Sequence, residues 1–174
     1  KYPLLELAIG SSFVLLSLNY TYDINQAFIL AITSLLIACS FSDQRDMKIP
    51  DSFIYSTLTF ALVYLAFNFS TSNLLGLVVG KLFFDIQRWI SKGKWVGDAD
   101  SFIGASIGAV LGLKLGLLTI FISYWLATLF IIPKLLTKSV SLKSKLAFIP
   151  FLTISFFLVN FFYDIIVINF NYLQ

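Results

Sequence analysis

Long apolar runs, broken only by short polar stretches, leave this chain few folds to choose from. Seven can be drawn, near residues 3 to 19, 26 to 42, 52 to 69, 73 to 90, 101 to 113, 115 to 133 and 148 to 169. They approach the roughly 20 residues needed to cross a hydrocarbon core of about 30 Å. A backbone in lipid must satisfy its own hydrogen bonds, so the runs are expected as helices. They lack the alternation of a membrane barrel. Composition agrees: 59% of residues are hydrophobic, 19 are Phe, mean hydropathy is +0.90 and only 12% are charged, against roughly 25% charged in an average soluble domain. The expected fold is an all-α polytopic transmembrane helical bundle of about seven spans, a single domain over residues 1–174.

The cations are distributed unevenly among the connections. Arg45 and Lys48, then Arg88, Lys92 and Lys94, then Lys134, Lys138, Lys143 and Lys145 fall in or beside alternate connections, while Tyr20 to Asn25 and Ser70 to Ser72 carry none. Only Lys114 separates the fifth and sixth runs. The positive-inside rule puts the basic loops in the cytoplasm and the C-terminus outside. The net charge of +3 thus has a topological origin and calls for no nucleic-acid partner. Two carboxylate clusters lie on the same side: Asp43, Asp46 and Asp51 in the first basic loop, and Asp98 and Asp100 after the second. The expectation is that these clusters meet at one face of the bundle and that one aspartate from each forms a water-activating pair.

Other chemistry is scarce. The chain has no His, which removes a Ser-His nucleophile, His-bearing zinc sites and haem ligation by His. Its single cysteine, Cys39, can form no internal disulfide or CxxC knuckle and reads as a small buried hydrophobe. No metal and no cofactor are expected. Lys81, Asp85 and Arg88 share one stripe of the fourth run, read as a structural ion pair or as a charge near the site. The fifth run, about 13 residues, would reach only ~20 Å. Gly104, Gly108, Gly112 and Gly116 continue a spacing of four that begins at Asp100, a stripe of small residues suited to close helix packing in lipid. Asp100 therefore begins on or near the packing stripe, and Asp98 does not share it. The loop from Lys134 to Lys145 reads as a solvated connection, and Asp164 as nearing the outer interface.

These motifs resemble those of the bacterial type IV prepilin peptidases, membrane aspartic proteases of the GxGD type. The stretch from Asp43 through Arg45, Ile49 and Pro50 to Asp51 is similar to the family's D-x-R-x-x-x-I-P-[ND] segment, and Gly97-Asp98-Ala99-Asp100 resembles GxGD with Ala99 for the second glycine. Ile103, Ala105, Gly108, Ala109, Leu111 and Gly112 fit the following L-x-A-x-x-G-A-x-L-G pattern only when Asp100 is the motif aspartate. Tyr2-Pro3-Leu4-Leu5-Glu6-Leu7 looks like the family's Y-P-L-x-E-L, and Phe148-Ile149-Pro150-Phe151-Leu152 is similar to its F-G-P-F-L. Phe102 stands where a lysine is frequent. The resemblance implies catalytic roles for Asp43 and Asp100, with Asp98 the variable position and the alternative to Asp100. Arg45, Ile49, Pro50, Gly97, Ala99, Gly104, Gly108, Gly112 and Pro150 are then motif or structural positions.

The implied substrates are prepilins or pseudopilins, of type IV pili or type II secretion, cut on the cytoplasmic side of a bacterial inner membrane between a basic leader and an apolar helix. Methyltransferase activity, tied in longer members to a cytoplasmic N-terminal domain, is not expected. Two close carboxyls in a partly desolvated site share a proton. The ionised one can activate water while the protonated one stabilises the oxyanion and supplies the leaving amine. Asp46, Asp51 and Asp98 would attract a basic leader. Two rivals are a proton-coupled small transporter built on Asp85 and Lys81, and a non-catalytic pilin-assembly subunit, which Ala99 and Phe102 would permit.

Overall fold

The computed structural model describes residues 3–17, 24–137, 146–163 and Ile166. Among them the chain forms six helical elements and no strand: α1 (Pro3–Ser17), α2 (Ile24–Asp46), α3 (Asp51–Phe67), α4 (Thr71–Ser91), α5 (Asp98–Leu136) and α6 (Ile149–Phe161). Two of them, α2 and α5, are long and apolar enough to cross a membrane. The ends are set locally. Pro50, with φ −57°, precedes the first turn of α3, Ser70 Oγ accepts the Asn73 amide 3.1 Å away at the start of α4, and Pro150 sits in the first turn of α6, where its missing N–H costs nothing.

α5 is two helices. Gly112 carries φ 78° and ψ −179°, outside helical space and open mainly to a residue without Cβ. A methyl added to Gly116 would lie 3.1 Å from the Gly108 Cα, although eight residues of straight helix advance about 12 Å. The chain therefore doubles back at Gly112, and the Leu113 amide donates to Ser72 Oγ of α4 at 3.1 Å. The break expected near Lys114 is this reversal. The unbroken spacing of four through Gly116 is corrected: Gly104 and Gly108 face Gly80 and Gly76 of α4, Gly112 is the turn, and Gly116 packs back on Gly108.

The bundle packs around an apolar core. Ile32, Leu36, Cys39, Ala61, Phe84, Ile103, Ile107, Leu152 and Phe156 form one core cluster. The buried hydroxyls of Ser40 and Thr153, 2.6 Å apart, fasten α2 to α6. Asn68 donates to Asn25 Oδ1 at 2.7 Å and ties the end of α3 to the start of α2. Large apolar side chains such as Phe67, Trp89, Phe121 and Trp125 are exposed, which suits a bundle whose helices are apolar on all sides. Lys1, Tyr2, Lys138, Lys143, Lys145, Asp164 and the C-terminal residues from 167 onward lie outside the described residues.

Candidate active site

Asp43 lies one residue past the expected apolar span of α2, and Asp100 one residue before that of α5. Both therefore occupy polar helix ends outside those spans. Asp43 is held by a third element: the Ile149 amide, at the start of α6, donates to its Oδ2 at 3.2 Å. A helix N-terminus offers unpaired amides and the positive end of the dipole, a natural seat for an anion. Burial raises the Asp43 carboxyl above its ordinary range, and the Ile149 and Phe148 amides pull it back.

Asp100 is 8% exposed. It closes the first turn of α5 on itself, because its Oδ2 accepts the Gly97 amide at 2.9 Å, the N3 half of a capping box. Gly97 begins the helix in extended geometry (φ −81°, ψ 168°). Burial pushes the Asp100 carboxyl up to about 7, the Gly97 amide favours the charged form, and the negative charge of Asp43 raises it further. The Asp100 carboxyl thus lies within the field of Asp43.

Aromatic side chains wall this end of the bundle. Phe148 packs edge-on against Phe84, with centroids 6.0 Å apart, and lies 4.8 Å from Tyr124, whose hydroxyl donates to Gln87 Oε1 at 2.8 Å. The field of Asp100 also reaches Tyr124. Tyr124 and Gln87 carried no signal in the sequence. The Phe148-Ile149-Pro150 motif did, although its amide contact with Asp43 was not foreseeable.

The remaining predicted residues divide. Ile49 and Ala99 pack on the core cluster, Pro150 is buried, and Gly104, Gly108 and Gly112 shape the α4–α5 contact. Arg45 and Asp46 are exposed and 3.7 Å apart, and Asp51 is exposed at the start of α3. Asp98 is an exposed residue ion-paired with Arg88 of α4, so its charge is already answered. Lys81 and Asp85 form an ion pair at 2.6 Å, and no group of three or more His, Cys, Asp or Glu able to hold a metal ion occurs among the described residues.

A family model described as the type IV leader peptidase family matches residues 30–132, and the match takes in both aspartates and the α5 reversal. No curated protein and no solved structure matches the chain. The family match covers more than half of the sequence and makes the protein peptidase-like. The chain belongs to the type IV leader peptidase family.

Proposed function

We propose that this chain is a membrane aspartic endopeptidase that removes the basic leader from type IV prepilins or pseudopilins, with Asp43 and Asp100 as its catalytic dyad. The observation that supports the reading is a buried aspartate, Asp100, inside the field of an aspartate that accepts the first amide of α6. Residues 1–174 act as one catalytic unit that crosses the bacterial inner membrane seven times, with α5 counted twice. Arg45 and Arg88 lie in the last turns of α2 and α4, and Lys48, Lys92 and Lys94 follow them, at the end that holds both aspartates, which supports a cytoplasmic site under the positive-inside rule.

The roles divide by environment. Asp43, stabilised as an anion by the helix terminus, takes the proton from water as the water attacks the scissile carbonyl. Asp100, kept neutral by burial, protonates the carbonyl oxygen. As the tetrahedral intermediate collapses and the C–N bond breaks, Asp43 gives its proton to the departing amine and Asp100 takes one back from the gem-diol hydroxyl, which restores both carboxyls. Incubating the purified protein with a prepilin tests this: the substrate is shortened by wild type and left intact by Asp43→Asn and by Asp100→Asn. Shortening by either variant would remove the dyad.

A pH dependence follows with a definite sign. Catalysis needs Asp100 protonated, so kcat/KM falls as pH rises through about 7, and it falls again in acid as Asp43 gains a proton. A profile that stays flat from neutral to mildly alkaline pH would contradict the assignment of Asp100.

Recognition of the leader is the task we assign to Asp46, Asp51 and Asp98. Neutralising all three raises KM for a basic leader about tenfold, the scale of a few exposed ion pairs. Because Asp98 is engaged by Arg88, Asp46→Asn with Asp51→Asn accounts for most of the rise. An unchanged KM in the triple variant would remove the idea.

A further inference from the structure

Along the outer side of α4 runs an open groove of about 880 Å³, lined by Lys81, Asp85, Arg88, Trp89, Ile90, Lys92 and Gly93. Its lining carries three cations against one carboxylate. Lys81 is spent on Asp85 and on the ring of Phe102, 4.9 Å from its centroid, and one guanidinium nitrogen of Arg88 goes to Asp98. A guanidinium keeps further N–H donors after one such contact, and Lys92 is exposed at the left-handed end of α4, with φ 52°. The surroundings fix the depth. Trp89 is 82% exposed and Trp95 72%, and exposed tryptophans are enriched at the headgroup level. Leu82, Ile86 and Ile90 on the same helix are also exposed, a surface for acyl chains.

We propose that this groove binds the headgroup of an anionic phospholipid, with Arg88 and Lys92 on the phosphate and the acyl chains against the exposed apolar side chains of α4. A basic leader is repelled by the same cations, so the groove is distinct in kind from the leader site. Juxtamembrane cations attract anionic lipid additively, and the paired Lys81 and Asp85 add no net charge.

The test uses the full chain in nanodiscs of equal phosphatidylglycerol and phosphatidylcholine, released and weighed by native mass spectrometry. Wild type retains phosphatidylglycerol in preference to phosphatidylcholine. Arg88→Gln with Lys92→Gln lowers that preference tenfold or more. Lys92→Gln alone, at an exposed position beyond the helix, lowers it by a smaller factor and guards against a folding defect in the double variant. Lys114→Gln, beside the α5 reversal, retains the wild-type preference. Wild-type preference in the double variant, or no preference in wild type, would overturn the proposal. So would displacement of the lipid by millimolar inorganic phosphate, which would mark a site for free anions. The readout is binding, so it stands independently of cleavage.

Discussion

Asp43→Asn and Asp100→Asn each lower the rate of leader cleavage by about 10³-fold or more, with the bundle still folded. The size follows from the role proposed for each carboxyl. A positioned proton donor or acceptor contributes roughly 10² to 10⁴ in rate, and among the described residues the neighbouring carboxylates are exposed and already held. Asp98, two residues before Asp100, is exposed and held by Arg88. Asp46 is exposed beside Arg45. An asparagine at 43 could still accept the Ile149 amide, and one at 100 could still accept the Gly97 amide, so folding should survive while proton transfer fails. Cleavage measured on a prepilin by gel shift, beside the thermal unfolding midpoint of each variant, separates loss of chemistry from loss of structure. Retention of even a tenth of wild-type rate by either variant would count against the mechanism.

The largest effect on stability falls on the α4–α5 contact. A Cβ at Gly108 would sit well inside contact distance of the Gly76 carbonyl oxygen, and one at Gly76 would strike the Gly108 carbonyl. Both obstacles are backbone, which cannot rotate aside, so Gly108→Ala drives the helices apart at a cost of about 3 kcal/mol, the upper end for overpacking. Gly10→Ala is the natural comparison. Nothing lies within 4 Å of a Cβ there, and replacing glycine within a helix gains roughly 0.5–1 kcal/mol. Unfolding midpoints in one membrane mimetic should therefore move in opposite directions. Equal midpoints would contradict the close packing.

Much of this was legible in the chain because it rests on local chemistry. Run length and missing charge gave helices, the glycine spacing gave a close contact, and the spacing Lys81 to Asp85 gave the ion pair found at 2.6 Å. The reversal in α5 was half legible. A short fifth run and Lys114 pointed to a break, but Gly112 fits the spacing of the stripe so well that periodicity counts it as one more packing residue. Only its φ of 78° distinguishes a turn from a contact.

What stayed hidden is non-local. The amide of Ile149 on Asp43 joins residues far apart in the chain, as does the Tyr124 hydroxyl on Gln87. The ion pair of Asp98 with Arg88 is hidden for the same reason: spacing sets Asp98 off the packing stripe, and nothing in the sequence pairs it with α4.

The most direct test of the account is a kinetic double-mutant cycle on Asp43 and Asp100 with one prepilin substrate. Groups that act on a single transition state as a unit are strongly non-additive. The account predicts that Asp43→Asn/Asp100→Asn is no slower than the slower single variant. Losses that multiply, so that the double variant falls by the product of the two single effects, would show two carboxyls working independently and would contradict it.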